Sequence, residues 1–193
     1  KLAAHATPLQ VMRIIGAAAT PPVTRDFNAA DISDQPFGWN LPNWLLRREI
    51  LARIAELPLV DFRPGTGFAG MVARIDTTIV TLTDGSRIGA RLVIGADGRN
   101  SAVRQAAGIG VTTTRYGQKA LTFAVTHDAP HNNVSTELHR AGGPFTFVPL
   151  PDHAGKPCSA VVWMDHGAQT QRRAALPAQA FEAEANDRSA LHY

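Results

Sequence analysis

The hydrophobic positions of this chain follow two different periods. Apolar residues recur at helical spacing over residues 42–57 and 178–188, and each pattern predicts a helix. Elsewhere apolar and polar residues alternate, which predicts strands over residues 11–15, 59–62, 71–75, 79–82, 120–126, 134–139, 145–150 and 159–164. The run 91–95 is apolar without alternation, which predicts a strand buried on both faces.

The order of these elements predicts a mixed α+β and α/β fold. The strands of the second half are separated by clusters of Pro, Gly and Asn, which favours an antiparallel sheet. The segment 91–107 instead predicts a strand, a tight turn and a short helix that ends at Gly108.

Alternation also predicts which side chains of the second half share a face. Apolar residues of strand 120–126 should lie on one side of the sheet together with two phenylalanines of another strand. These residues are Leu121, Phe123, Val125, Phe145 and Phe147. Such a face suits either a plain core or a pocket for an aromatic ligand.

Composition places the chain among ordinary globular proteins. Hydrophobic residues make up 45% of its 193 residues and charged residues 18%, which excludes global disorder. The net charge of +3 is spread along the chain without a basic stripe, so no nucleic-acid partner is predicted. No apolar run is long enough to span a bilayer. The single cysteine, Cys158, excludes an intramolecular disulfide and a cysteine-built zinc site, and it favours a reducing compartment.

Two short motifs suggest ligand sites but lack the helix that each kind of site requires. Gly65–Gly70 spells G-x-G-x-x-G, which binds a pyrophosphate only where a helix follows and supplies its N-terminal amides. The β-branched segment 71–81 follows instead, which predicts a turn between two strands. His127 and His131 have the spacing of a helical metal pair, but Pro130 lies between them, so no metal site is predicted.

The turn over residues 95–101 has two open interpretations. Asp97 follows the predicted buried strand, at the end where open α/β sheets place their ligands. There its carboxylate could accept a hydrogen bond from a ribose hydroxyl, and Gly98 would let the backbone approach a phosphate. Alternatively, Asp97 and Ser101 are local caps of a strand-to-helix turn and contact no ligand.

The same turn carries a resemblance to a known family. The string Gly95-Ala96-Asp97-Gly98-x-x-Ser101-x-Val103-Arg104 resembles the aspartate-glycine motif of the flavin-dependent aromatic monooxygenases, the group similar to p-hydroxybenzoate hydroxylase. Within that group, the flanking segments are similar to the ubiquinone-biosynthesis hydroxylases. These segments are 37–43, 46–51, 83–85, 143–151 and 161–163, and they occur in the family's order.

The resemblance implies a fold and cofactor contacts. It implies part of a Rossmann-like, FAD-binding domain over residues 37–110, and an antiparallel-sheet substrate domain formed by residues 1–36 and 111–193. In the family the motif aspartate contacts the FAD ribose, and its loop lies near the path of NAD(P)H. The implied cofactor-binding residues of this chain are Asp97, Gly98, Asn43 and Arg47.

The resemblance also implies an activity. The parent enzyme would use NAD(P)H and O2 to hydroxylate an electron-rich phenol, a ubiquinone precursor, in an aromatic pocket that includes Phe123, Phe145 and Phe147. No side chain is assigned a catalytic role, since the FAD carries the difficult chemistry. The implied location is the cytoplasm, with peripheral attachment to the inner membrane or membership of a biosynthetic complex.

Two cofactor motifs of the family do not occur in these 193 residues. They are the amino-terminal glycine fingerprint and the later glycine-aspartate motif. We therefore expect a central fragment of the enzyme, which by itself binds no FAD stoichiometrically and is inactive. The competing hypothesis is a non-catalytic, β-rich binding module in which the Asp97 turn is only structural.

Overall fold

The computed structural model describes residues 2–17 and 20–189. Its strands are β1 (Thr7–Leu9), β2 (Val11–Gly16), β3 (Val23–Asn28), β4 (Gly38–Asn40), β5 (Phe68–Ala73), β6 (Thr78–Leu82), β7 (Arg87–Ala90), β8 (Gln118–Thr126), β9 (Val134–Arg140), β10 (Gly143–His153) and β11 (Lys156–His166). Its α-helices are α1 (Asn43–Ala55), α2 (Ala102–Ala106), α3 (Gly167–Ala174) and α4 (Ala178–Ser189). Short 3-10 helices span Leu2–His5 and Ala29–Asp31. The chain divides into a first unit, Lys1–Ala52 with Arg115–Tyr193, and a second unit, Arg53–Thr114.

The first unit is built on a six-stranded sheet with the strand order β3-β2-β9-β10-β11-β8. The last four strands pair antiparallel, which confirms the arrangement that their alternating sequences predict. β2 joins them by pairing parallel with β9, and β3 pairs antiparallel with β2. The complete sheet is therefore mixed, because the β2–β9 pair is parallel and its other pairs are antiparallel. The β2–β3 hairpin comes from a distant part of the chain. β1 and β4 form a separate antiparallel pair.

One face of this sheet forms the core of the first unit. Phe147 pairs with Val161, and Val161 pairs with Phe123 on the next strand, so pleating places all three on one face. The predicted common face of Phe123 and Phe147 is thus confirmed. Helix α4 covers this face. The core residues are Ile15, Leu138, Phe145, Phe147, Val161, Trp163 and Ala185, with Leu121, Phe123, Val125 and Phe181 packed against them.

A tight turn joins β9 to β10 and brings the chain close to β11. Gly142 in this turn has a φ of +95°, a conformation that favours glycine. A Cβ at this position would lie 2.7 Å from Oδ1 of Asp165. Both the backbone conformation and the close approach therefore require glycine here.

The second unit contains the antiparallel sheet β5-β6-β7 and helix α2. The predicted hairpin turn at Asp84 and Gly85 is confirmed: Oδ1 of Asp84 accepts hydrogen bonds from the backbone N–H and hydroxyl of Ser86 at 2.9 and 2.7 Å. The motif Gly65–Gly70 runs into strand β5 and not into a helix, as its sequence context predicts.

Two strand predictions in the second unit are wrong. Residues 59–62 form no strand, because the chain turns at Pro58 and continues as a loop. Residues 91–95 form no strand either, and Leu92 and Ile94 are 74% and 79% exposed. A strand needs a neighbour to complete its backbone hydrogen bonds, and no strand of the described residues pairs with this run.

The predicted helices are confirmed, with small differences at their ends. α1 begins at Asn43 and ends at Ala55, three residues before Pro58, which cannot continue a helix. α2 is followed at once by the turn that Gly108 ends, with a φ of +68°. No helix within residues 2–17 and 20–189 combines the length and the apolar character needed to cross a bilayer.

Candidate functional site

The carboxylate of Asp97 is tied into the turn before α2. Its Oδ1 accepts a hydrogen bond from the Ser101 hydroxyl, and its Oδ2 accepts from the backbone N–H groups of Ala102 at 2.7 Å and Val103 at 3.2 Å. The Ser101 hydroxyl oxygen accepts in turn from the N–H of Arg104 at 3.0 Å. Both side chains thus satisfy N–H groups of the first helical turn that have no partner within the helix.

These hydrogen bonds stabilise the ionised form of Asp97. The Ser101 hydroxyl, followed by the N–H of Val103, lowers the pKa of this carboxyl group from its ordinary value. A carboxylate offers about four acceptor positions, and the turn uses three of them. Asp97 therefore caps α2 in the structure. One acceptor position of its carboxylate remains for a ligand hydroxyl.

Glycines shape the chain on both sides of Asp97. Gly98 has a φ of +85°, and its carbonyl accepts from the N–H of Ser101 at 3.1 Å. No atom lies within 4 Å of the place that a Gly98 Cβ would occupy. Glycine is therefore favoured here by the positive φ alone and not by a steric contact. A Cβ on Gly95 would lie 3.1 Å from the Val103 side chain, so this glycine lets the turn pack against α2.

Asn43 and Arg47 lie in the first unit, whereas the Asp97 turn belongs to the second. Asn43 is the first residue of α1 and Arg47 follows one turn later, and both side chains are exposed. The neighbouring Arg48 instead stacks on Trp44, with its guanidinium carbon 5.4 Å from the ring centroid. The start of α1 therefore presents an exposed amide and an exposed guanidinium, whose cofactor role stays a prediction.

The three phenylalanines predicted for a substrate pocket meet at one cavity in the first unit. It has a volume of about 420 Å³ and lies between the sheet and α4, with Val161 and Phe181 also in its wall. The rings of Phe123 and Phe181 meet edge to face, with centroids 4.9 Å apart. Phe145 and Phe147 are only 1% and 5% exposed, so the floor of this aromatic cavity is also part of the core.

Polar side chains surround the aromatic cavity. Two come from the end of β8 and its following turn, and three come from one face of α4. They are Thr126, His127, Glu182, Asn186 and Ser189. On α4, positions 182, 185, 186 and 189 recur at the spacing of one helix face. That spacing is a signal in the sequence that could have identified this polar face.

His127, in the wall of this cavity, and the nearby His131 have defined hydrogen bonds. Nδ1 of His127 lies 2.7 Å from the carbonyl oxygen of Ala129 and therefore donates to it, and in the neutral imidazole Nε2 then accepts from the Ser159 hydroxyl at 2.9 Å. Ser159 is fully buried, so this pair orients His127 and offers no accessible nucleophile. Nε2 of His131 donates to the carbonyl of Leu150 at 3.1 Å.

A second cavity of the first unit, about 400 Å³ in volume, was not predicted. Its wall is formed by residues that flank Asn43 and by residues of three sheet strands: Pro42, Trp44, Ala124, Val125, Thr126, Leu150, Pro151, His153 and Cys158. Burial raises the pKa of the Cys158 thiol. The thiol is therefore neutral near pH 7 and contributes an apolar wall.

Comparison with known proteins identifies the family of this chain. The sequence profile of a family described as an FAD binding domain matches residues 1–189. The chain belongs to this FAD-binding family. The ubiquinone hydroxylase UbiL of Rhodospirillum rubrum is 37% identical over 157 residues, which are 81% of this chain and 36% of that protein. The 3-demethoxyubiquinol 3-hydroxylase of Escherichia coli is 30% identical over 146 residues, 76% of this chain and 36% of that protein. The resemblance to the ubiquinone-biosynthesis hydroxylases is thereby confirmed.

Solved structures share the fold. The crystal structure of PqsL, a probable FAD-dependent monooxygenase from Pseudomonas aeruginosa, has a TM-score of 0.71 at 20% identity. The match covers 87% of this chain and 45% of PqsL. The predicted mixed fold is thus confirmed. The chain spans about a third of the length of the two curated relatives described above.

The residues that the resemblance assigns to FAD fit parts of that molecule. The unused acceptor position on Asp97 suits a ribose hydroxyl, because a carboxylate forms strong hydrogen bonds with such donors. The amide of Asn43 can donate and accept, and the guanidinium of Arg47 suits a phosphate. All three side chains are exposed, so each can be reached by a ligand.

Proposed function

We propose that this chain is part of an FAD-dependent monooxygenase that hydroxylates a phenolic precursor of ubiquinone, using NAD(P)H and O2. The observation that carries the proposal is the family match over residues 1–189. Two relatives whose names refer to ubiquinone or ubiquinol hydroxylation support the substrate class. The enzyme is cytoplasmic and attaches peripherally to the inner membrane or to a biosynthetic complex, where an apolar precursor is found.

The cofactor and the chain have separate tasks in this reaction. FAD, when bound, supplies the redox chemistry that activates O2 for transfer to the ring. Asp97 accepts a hydrogen bond from a ribose hydroxyl while it continues to cap α2, and Gly98 keeps the adjacent backbone open. Asn43 and Arg47 are the residues at the start of α1 that the family resemblance assigns to polar groups of FAD. The aromatic cavity holds the phenol ring and excludes water from it.

We expect Asp97→Ala to weaken FAD binding about tenfold to a hundredfold, because the charge-assisted hydrogen bond from a ribose hydroxyl to the carboxylate is lost. The measurement is a fluorescence titration of FAD. It uses a protein of the relatives' full length that contains these residues, since the expected main pyrophosphate site is not encoded in the 193 residues.

Ser101→Ala is the matched control for this variant. It removes a capping hydroxyl from the same turn, which costs stability of about 1 kcal/mol, but it leaves the Asp97 carboxylate in place. FAD affinity should therefore stay within twofold of the parent in Ser101→Ala. If the two variants lose stability alike and both keep their FAD affinity, Asp97 is only a cap, and the binding-module hypothesis is favoured.

A substitution on α4 tests the aromatic cavity. We expect Ala185→Phe to reduce the affinity of the 193-residue chain for 4-propylphenol at least tenfold, because the added ring occupies the cavity between α4 and Phe147. Isothermal titration calorimetry measures the affinity, and circular dichroism shows whether each variant is folded. Ala180→Phe adds the same ring at an exposed position of α4 outside the cavity and should bind like the parent.

This experiment is independent of FAD, so it separates two possible failures. Binding of 4-propylphenol that survives in a folded Ala185→Phe variant would show that the aromatic cavity is only core. Loss of binding in this variant, combined with unchanged FAD affinity in Asp97→Ala, would keep the cavity and reject the proposed cofactor contact.

A further inference from the structure

A cleft on the opposite side of α4 from the aromatic cavity is rich in arginine. It has a volume of about 480 Å³ and lies where α3, α4, β11 and the end of β9 meet. Its wall is formed by Arg140, Trp163, Arg173, Ala183, Glu184, Asp187 and Arg188. None of the residues assigned to FAD or to the aromatic cavity takes part in this wall, so the proposed function does not account for it.

The charges around the arginine cleft are unbalanced toward positive. Arg173 donates to Asp165 at 2.5 Å and to Glu184 at 3.2 Å, and Glu184 also accepts from Arg172 at 2.6 Å. These three contacts are ion pairs between two arginines and two carboxylates, so the charges of this group cancel. Arg140 donates only to the backbone carbonyl of Asp187, at 3.3 Å, among the hydrogen bonds of the described residues.

Arg188 adds a further positive charge, and no carboxylate within residues 2–17 and 20–189 forms an ion pair with it. Its terminal nitrogens donate to the backbone carbonyls of Ala141 and Gly143. Burial, followed by the charge of Arg140, lowers the pKa of Arg188. The wall thus contains three arginines, Arg140, Arg173 and Arg188, and two carboxylates, Glu184 and Asp187. Among the described residues of this wall, one positive charge is in excess.

Hydrogen-bond donors are also in excess beside this cleft. The indole N–H of Trp163 and the Nε–H of Arg188 are buried, and neither has an acceptor among the described residues. Trp163 is 3% exposed, and the guanidinium carbon of Arg173 lies 4.4 Å from its ring centroid. Native proteins rarely leave buried donors without an acceptor. The wall of this cleft therefore combines an excess of positive charge with an excess of N–H donors, and both favour a negatively charged ligand.

We propose that the arginine cleft binds a small oxyanion, a phosphate or carboxylate group, between Arg140 and Arg173. Arg140, whose side chain is half-buried, and the Nη2 group of Arg173 make the contacts, because Nη1 and Nε of Arg173 already donate to Asp165 and Glu184. Guanidinium N–H groups match the oxygens of both anions. Arg188 is also part of the cleft wall and adds to its positive charge. The ion pairs with Asp165 and Glu184 hold Arg173 in place.

Titration calorimetry on the 193-residue chain tests this site with three salts at pH 7 and constant ionic strength. Inorganic phosphate and sodium acetate are the probes, and sodium chloride is the reference. We expect saturable binding of phosphate or acetate with a dissociation constant below 1 mM, roughly the range of a few charge-assisted contacts. Tighter binding of phosphate indicates a phosphate ligand, and tighter binding of acetate indicates a carboxylate.

Two charge-matched variants and one conservative variant make the test specific. Arg140→Gln should weaken the binding of the preferred anion at least tenfold, whereas Arg140→Lys should weaken it less because the charge remains. Arg25→Gln removes the same charge from β3, where Arg25 stacks on Phe27, and should bind the anion like the parent. The proposal is overturned if neither anion saturates below 10 mM, or if Arg25→Gln and Arg140→Gln weaken binding equally.

Discussion

Asp165→Asn is expected to lower the free energy of unfolding by about 3 kcal/mol, at the low end for breaking a buried ion pair. Oδ2 of Asp165 accepts from Nη1 of Arg173 at 2.5 Å, and the two side chains are only 11% and 15% exposed. Removal of the carboxylate leaves Arg173 largely desolvated with Glu184 as its remaining counter-charge. Urea unfolding followed by circular dichroism measures the change.

Asp26→Asn provides a matched comparison on the same sheet. Asp26 pairs with Arg13 at 2.7 Å, but these side chains are 34% and 40% exposed. Water and salt screen such a pair, so its loss should cost less than about 1 kcal/mol. Equal losses in the two variants would mean that burial does not set the strength of the Asp165–Arg173 pair.

The same ion pair gives the stability a pH dependence. Burial by itself would raise the pKa of Asp165, but hydrogen bonds from Arg173 and from the N–H of His166 outweigh it, so the pKa is lowered. Because an unfolded Asp titrates near pH about 3.9, this contribution is complete above that pH and is lost as pH falls toward the lower, folded pKa. Asp165→Asn should therefore lose stability less steeply than the parent between about pH 4 and pH 2.

Phe145→Ala is expected to lower the free energy of unfolding by about 3–5 kcal/mol, because it leaves a cavity in the centre of the core. Phe145 is 1% exposed, and its ring centroid lies 5.2 Å from those of both Phe147 and Trp163. If the variant does not fold, Phe145→Leu retains most of the volume and should cost about 1–2 kcal/mol. Chemical unfolding at a fixed temperature measures both.

Phe27→Ala is the comparison for this prediction. Phe27 lies on the edge strand β3, is 38% exposed, and packs beneath the guanidinium of Arg25. Its removal should cost about 1 kcal/mol, since little apolar area returns to water. A loss as small for Phe145→Ala would show that the floor of the aromatic cavity is not the centre of the core.

Local alternation was enough to predict the four strands β8 to β11. Each strand is long and has one buried face, and short turns join β9 to β10 and β10 to β11, so pattern and pairing agree. The shared face of Phe123 and Phe147 follows from the same period of two. The parallel pairing of β2 with β9 could not be predicted, because no local pattern specifies which distant strand a hairpin joins.

The segment 91–95 shows the opposite case. Its apolar run satisfies the pattern of a buried strand, yet Leu92 and Ile94 are exposed and no described strand pairs with them. A sequence pattern reports which side chains favour burial, whereas burial itself requires a neighbouring element. The turn that follows was predicted better, because the hydrogen bonds of Asp97 to Ser101, Ala102 and Val103 are local.

The sequence by itself determined helices α1, α2 and α4, strands β8 to β11 and the family, since each depends on residues close together in the chain or on motifs in order. Helix α3 and strands β1, β3 and β4 were not predicted. Tertiary structure decided which side chains from other elements pack around α4. One face of that helix completes the aromatic cavity, and the other joins Arg140 and Arg173, which are 33 positions apart, across one cleft. Residues far apart in sequence meet here because distant segments pack together. The free energy of that packing depends on the whole fold, so no local sequence pattern predicts it.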